Sequence, residues 1–168
     1  DSDLSKHLTS RKSVEEVLQQ SIVPTTVIRA AIIIGSGGAS FEIIRDLVEK
    51  LPVMIAPKWL NTKCQPIGVR NVIEYLTLAA LNEKTYHKTF DIGGPDILTY
   101  KEMLLEFAKV RGMKRYIFTV PVFSPRISSY WLYFVTSTSY HLAVNLVDSM
   151  KNEVIVKNDL NDIIQIDL

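Results

Sequence analysis

Residues 25–34 read Thr-Thr-Val-Ile-Arg-Ala-Ala-Ile-Ile-Ile and run straight into Gly35-Ser36-Gly37-Gly38. A run this apolar lacks the in–out alternation of a half-solvated sheet, so it predicts a central parallel strand covered on both faces. Arg29 interrupts it, and a charge there needs a partner; a structural ion pair fits better than ligand binding. Ahead of the strand, Leu4, His7 or Leu8, Arg11, Val14 or Glu15, and Leu18 follow a 3.6-residue period, which predicts a helix ended by Pro24. His7 and Arg11 sit one turn apart on or beside that stripe. An imidazole and a guanidinium are therefore expected to point together into a cleft at the end of a parallel sheet.

Bulk properties narrow the classes of function. Nineteen basic residues face 18 acidic ones, so no global field draws nucleic acid or an anionic membrane, and neither is expected as a partner. A small-molecule substrate fits better. The single Cys64 excludes an intrachain disulfide and fits a reducing, cytoplasmic compartment, and no pairing of Cys or His at ligand spacing suggests a metal. The longest apolar runs, around residues 30–34 and 131–135, fall well short of the roughly 20 residues that span a bilayer. With 168 residues, 47% of them apolar, the chain can bury a core for one domain, or one and a fraction. It begins at Asp1, so a targeting segment ahead of it would not be seen.

Beyond the glycines, Ser40 is the expected N-cap of a helix in which Phe41, Ile44, Val48 and Leu51 repeat at helical spacing up to Pro52. Residues 52–57 read as a short extended piece between two prolines, and residues 58–69 as a loop with a short strand. Val72, Ile73, Leu76, Ala79 and Ala80 mark another helix, followed by a turn over 84–88 and a short strand over 89–92 that Gly93-Gly94-Pro95-Asp96 breaks. Thr99-Tyr100-Lys101-Glu102 matches a capping box; Met103, Leu104, Phe107 and Val110 give that helix its buried face, and Gly112 closes it. Residues 116–120 read as a strand. Ser124-Pro125 then opens a helix rich in Tyr130, Trp131, Tyr133 and Phe134, a set more often core or oligomer contact than a base-stacking platform. A further helix over 142–150 precedes a strand-like 154–156, and the last ten residues read as a mobile tail or as a strand pairing with something outside the chain. His87 and His141 read as surface residues. Strands alternating with helices through short connections define an α/β chain.

In order and spacing these pieces resemble the extended and atypical short-chain dehydrogenase/reductases, the NAD-dependent epimerase/dehydratase and NmrA-like group. In those proteins a Tyr-x-x-x-Lys helix precedes a strand close to Leu-Arg-Tyr-Phe-Asn-Val-Tyr-Gly-Pro-Gly. Here the helix offers His7-Leu8-Thr9-Ser10-Arg11 and the strand runs from Ile28 to Gly37. Gln65 to Val72 resembles the segment that leads into the next helix, with Arg70-Asn71 replacing an acidic pair and leaving Asn71 as a helix cap. Phe90-Asp91-Ile92-Gly93-Gly94 followed by Leu98 to Glu102 resembles the Asn-Ile-Gly-Gly and Thr-x-x-Glu turn of sugar-nucleotide epimerases. The resemblance covers about residues 4 to 120.

It implies a partial Rossmann-like parallel sheet with flanking helices plus a small substrate-side α/β region. Residues 1–120 would be the C-terminal half of an NAD(P)-binding domain with substrate-side elements, and residues 121–168 a C-terminal helical and strand extension. His7 occupies the position of the family's catalytic Tyr and Arg11 that of its Lys. An imidazole, with an ordinary pKa near 6.5 that Arg11 should lower, can accept or donate the proton, and Arg11 can hold the ribose but cannot relay protons. Arg11, Ala31 and Ile32 are then cofactor-side residues, and Ser40, Phe41, Arg45, Trp59 and Gln65 are candidates for the substrate cleft. The family's glycine-rich pyrophosphate turn is missing, and Gly35-Ser36-Gly37-Gly38 has the spacing of neither phosphate fingerprint. The chain is therefore expected to be the rear portion of a protein that uses NAD or NADP, not to bind the nucleotide alone, and to form a homo-oligomer or pair with a missing N-terminal portion through its strand edge. Two classes stay open: an oxidoreductase or nucleoside-sugar-epimerase-like enzyme, and a non-catalytic NmrA-like dinucleotide-binding or regulatory module.

Overall fold

The computed structural model describes residues 6–120 and 150–168, with side chains in the first helix from Leu8 onward. The aromatic helix and most of the helix expected over 142–150 lie outside the described residues, as does His141. Helix α1 (Lys6–Gln19) leads to strand β1 (Thr26–Ala30). The ten-residue strand expected from the sequence is two strands. A bend at Ala31 and Ile32 separates β1 from β2 (Ile33–Ile34), because the two pieces belong to different pairs and different cores. β1 pairs in parallel with β6 (Lys88–Ile92), Thr26 opposite Lys88 and Ala30 opposite Ile92. β2 pairs in parallel with β5 (Ile67–Gly68), and the Ile67 N–H also reaches the Ile32 carbonyl at 2.9 Å.

Among the described residues β1 has a strand on one edge only, that of β6, and its other edge is open. Its burial is also shallower than expected: Arg29 is exposed and the other four residues are half-buried. Alternation along the pair explains the layering. Ile28, Ala30, Phe90 and Ile92 share one face and pack on Tyr75 and Ala79 of helix α3 (Val69–Ala79). Arg29 and Thr89 point the other way and meet Glu15 and Gln19 of α1. The two helices thus cover opposite faces of the strand pair.

Downstream, helix α2 (Ala39–Lys50), strand β3 (Val53–Pro57), a 3₁₀ turn (Lys58–Asn61) and strand β4 (Lys63–Cys64) precede β5. Strand β7 (Leu98–Thr99), helix α4 (Tyr100–Val110) and strand β8 (Tyr116–Val120) follow β6. β3 and β8 pair in parallel, Val53 opposite Tyr116, and β4 and β7 pair antiparallel. These elements close a second core around Ile43, Val48, Met54, Leu60 and Leu104, into which Ile32 also turns. The capping box at α4 is complete: the Glu102 N–H donates to the Thr99 hydroxyl at 3.1 Å and the Thr99 N–H to the Glu102 carboxylate at 2.7 Å. Two caps differ from expectation. α2 begins one residue before Ser40 with Gly38 as its cap, and α3 begins after Gly68, so Asn71 lies inside the helix and its amide donates to the Asp167 carbonyl at 2.9 Å.

The last residues are neither a free tail nor an outward strand. Val154 bridges to Cys64, the Asp91 N–H donates to the Asn158 carbonyl at 2.7 Å, and Leu160 is fully buried in the α3 core with Ile164 beside it. The Tyr75 hydroxyl, itself buried, donates to Asn161 at 3.1 Å and ties this segment to α3.

Candidate functional site

The expected cleft depends on how α1 lies against β1. Two nitrogens of Arg29 donate to the two Glu15 oxygens, at 2.9 and 2.5 Å, and the Thr89 hydroxyl donates to Glu15 at 2.9 Å. One turn later, Gln19 donates to the same Thr89 hydroxyl at 2.6 Å. Thr89 is level with Val27 across the pair, two residues before Arg29, so stepping back along the helix moves forward along the strand. α1 is antiparallel to β1. At a rise of about 1.5 Å per residue, Arg11 lies roughly 6 Å beyond Glu15 toward the carboxyl end of β1, and His7 another turn beyond that.

This ion pair is what the sequence required of Arg29. The guanidinium holds the Glu15 carboxyl below its ordinary range, with Thr89 adding to the effect against the opposing cost of burial. The helix contact differs from the apolar stripe first expected. Leu8 and Glu15 are half-buried, whereas Arg11 is exposed and so are Val14 at 51% and Leu18 at 43%. The outward-facing Arg29 fixes the helix by its acid, which leaves the apolar stripe uncovered.

Past the end of β1, Ala31 is half-buried and Ile32 is buried. Ile32, Ser40 and Trp59, three of the residues singled out in the sequence, line one cavity of about 20 Å3 together with Ile44, Leu60, Tyr100, Met103, Leu104 and others of the second core. The Trp59 indole stacks edge-on against Tyr100, with ring centroids 6.4 Å apart at 83°. Among the described residues its buried Nε1–H has no hydrogen-bond partner. Met103 and Leu104 read as core from the sequence, and Tyr100 entered it only as part of a helix cap. Nothing in local spacing announces that a residue 41 positions after Trp59 stacks on it.

Three other candidates are engaged elsewhere. Phe41 packs edge-on against Phe107 at 5.6 Å, joining α2 to α4. Arg45 pairs with Glu42. Gln65 is a clamp: its amide nitrogen donates to the Gly94 carbonyl at 2.7 Å and its oxygen accepts from the Val156 N–H at 3.1 Å. The glycine loop before α2 is likewise occupied. The Gly37 N–H, which a phosphate would need, donates to the Glu42 carboxylate at 3.2 Å, so an acid already fills the position of an anion.

Two further groups near the cavity are chemically quiet. Burial pushes the Cys64 thiol up to about 11, and burial, with Cys64 adding to it, pushes the Tyr100 phenol well above its ordinary range. Among the described residues no three His, Cys, Asp or Glu side chains come together as a metal site, and no helix is long and apolar enough to cross a membrane.

No family model and no curated protein matches the sequence. Solved structures do match. A nucleoside-diphosphate-sugar epimerase from Staphylococcus aureus aligns with a TM-score of 0.60 at 18% identity, over 90% of this chain and 50% of that one. A dTDP-glucose 4,6-dehydratase from Bacillus anthracis in complex with NAD aligns at 0.56 and 12%, over 87% and 51%. RMD from Pseudomonas aeruginosa, complexed with NADPH, aligns at 0.53 and 12%, over 86% and 55%. The fold is thus a Rossmann-like α/β arrangement like that of these epimerase and dehydratase structures. The chain spans about half the length of the structures it matches.

Proposed function

We propose that this chain forms the cleft wall and substrate side of an NAD(P)-dependent oxidoreductase of the epimerase and short-chain dehydrogenase type. The supporting observation is the Glu15–Arg29 lock, which sets α1 antiparallel to β1 and carries the turn of Arg11 past the strand's carboxyl end, where ligands bind in open α/β sheets. The dinucleotide, when bound, gives or takes the hydride. His7 is assigned the proton, accepting it from a substrate hydroxyl at a ring nitrogen or returning it to a carbonyl oxygen, and Arg11 is assigned to hold the nicotinamide ribose through its hydroxyls. The small Ala31, with Ile32 behind it, leaves room for the cofactor to approach the strand end. The residues present suit that end of the cofactor and not its pyrophosphate, since Glu42 already takes the Gly37 N–H.

The phosphate-holding strands are proposed to lie along the open edge of β1. Exposed Val14 and Leu18 on one side of the strand pair and exposed Ile73 and Leu76 on the other are the surfaces that a continuing helix-covered sheet would bury. Those strands come from an N-terminal portion of the same protein or from a second copy in a homo-oligomer, and a soluble, cytoplasmic setting suits either.

The test is oxidation of NADH and of NADPH by the full-length protein with butanone, and NAD-dependent epimerisation of UDP-glucose, each compared with a His7→Phe variant. A positioned proton donor is worth roughly a hundred- to ten-thousand-fold, so the variant is expected to lose that much turnover. Equal turnover in both proteins removes His7 from catalysis. The second reading, an NmrA-like sensing module, is favoured by the absence of a tyrosine from α1; tight NADPH binding with no turnover of either substrate would select it.

A further inference from the structure

We propose that Arg29 has two alternative carboxylate partners, Glu15 of α1 and Asp91 of β6, and that residues 154–159 decide between them. While that segment holds Asp91, Arg29 seats α1; when it lifts, Asp91 takes Arg29 and α1 is released. Arg29 and Asp91 stand opposite each other in the register of β1 and β6, where opposite charges ordinarily pair. Here each is taken by another element. Two Arg29 nitrogens donate to the two Glu15 oxygens, and one Asp91 oxygen, Oδ2, accepts the Lys157 N–H at 3.0 Å and the Asn158 N–H at 3.2 Å. Glu15 keeps the Arg29 guanidinium charged against the cost of burial, and the charge of Asp91 acts in the same direction. Arg29 is 56% exposed, so neither pairing has a large intrinsic advantage. What each carboxylate must give up decides.

The segment is placed to feel a movement between the two cores. At one end the Val154 N–H donates to the Lys63 carbonyl at 3.2 Å and the Val156 N–H to the Gln65 side chain at 3.1 Å, beside the second core. At the other end Leu160 is fully buried in the α3 core. Lys157 and Asn158 lie between these anchors and are exposed, so their bonds to Asp91 give before the buried ends do. The Asn158 amide also donates to the Thr89 carbonyl at 2.6 Å, and the Thr89 hydroxyl is one of the groups that hold Glu15. That releasing α1 carries Arg11 and His7 off the strand end rests on the reading above; the exchange of partners does not.

The experiment follows amide hydrogen exchange and the Arg29 Nε–H cross-peak in the 15N-labelled full chain. Lys157→Pro deletes the N–H that Asp91 accepts. In this variant the amides of residues 15–19 should exchange about fivefold faster, the upper worth of an exposed ion pair, and the Arg29 cross-peak should move. Lys157→Ala, which keeps the N–H and loses only the charge, should change neither. Adding Asp91→Asn to Lys157→Pro should restore both, because a neutral amide does not compete for the guanidinium. A segment that merely braced α1 by packing would give the opposite, a double variant at least as loose as Lys157→Pro. Linkage demands the reciprocal effect: Glu15→Gln frees Arg29 for Asp91, so the amides of Lys157 and Asn158 should exchange faster by a comparable factor. Unchanged α1 exchange in Lys157→Pro overturns the proposal, as does a double variant without recovery. Should the proline variant not fold, Glu15→Gln carries the decision, and unchanged exchange at 157 and 158 overturns it. Because exchange is read without nucleotide or substrate, failure of the oxidoreductase reading leaves this result standing, and failure here leaves that reading standing.

Discussion

Gly94→Ala tests the joint between the two halves of the fold. A Cβ built on Gly94 would lie 2.3 Å from the Pro66 carbonyl oxygen and 3.4 Å from its carbon. The same oxygen accepts the Gly94 N–H at 3.0 Å. Relief therefore requires the end of β6 and the start of β5 to separate by about 1 Å, against interiors that pack like organic crystals. That movement pulls on the Gln65 clamp, which holds the Gly94 carbonyl at 2.7 Å, and on Ile67, which is 1% exposed. Overpacking costs about 1–3 kcal/mol and a strained or lost hydrogen bond about 1 more, so a loss near 3 kcal/mol is expected. Gly112 supplies the comparison. Its φ of +67 favours glycine, yet nothing lies within 4 Å of the position a Cβ would take, so Gly112→Ala should cost only the left-handed backbone penalty of about 1 kcal/mol. Urea unfolding of both variants, read by circular dichroism with an unchanged slope, measures the two losses. A Gly94→Ala loss equal to or smaller than that of Gly112→Ala would refute the reasoning, because crowding against backbone would then not be what demands glycine at the joint.

Two further outcomes follow from the same contacts. Glu15 titrates below its ordinary value of 4.5 when folded, so its contribution to stability is fully present above that value and is lost as pH falls from there through the lower folded value. With Arg29 more than half exposed, the contribution is about 1 kcal/mol; melting temperatures of Glu15→Gln and the parent should differ at pH 6 and draw together as the pH is taken progressively below 4.5, and a constant gap would show that the lock is not ionic. Cys64 is fully buried with its thiol pushed up to about 11, so a disulfide-exchange thiol reagent at pH 8 should label it only in denaturant; rapid labelling of the folded protein would contradict the packing of β4 against residue 154.

The amino-acid sequence by itself determined what depends on neighbours a few residues apart. The α4 capping box, its glycine terminator, the β8 strand at 116–120 and the helical pattern of α2 are local, because a hydroxyl three residues from a carboxylate or a helical apolar repeat needs no distant partner. The need of Arg29 for an ion pair was equally legible, although Glu15 as its partner was not. Tertiary structure decided the rest. Residues 25–34 become two strands because Ala30 and Ile32 are drawn to different cores; Gln65 became a clamp because Gly94 and Val156 arrive beside it; the tail was fastened by Leu160, whose burial no periodicity announces. The candidate site divides along the same line: the spacing of His7 and Arg11 is a helical repeat and is written in the chain, whereas the cavity joins Ile32, Ser40, Trp59 and Tyr100 across distances that only packing can close.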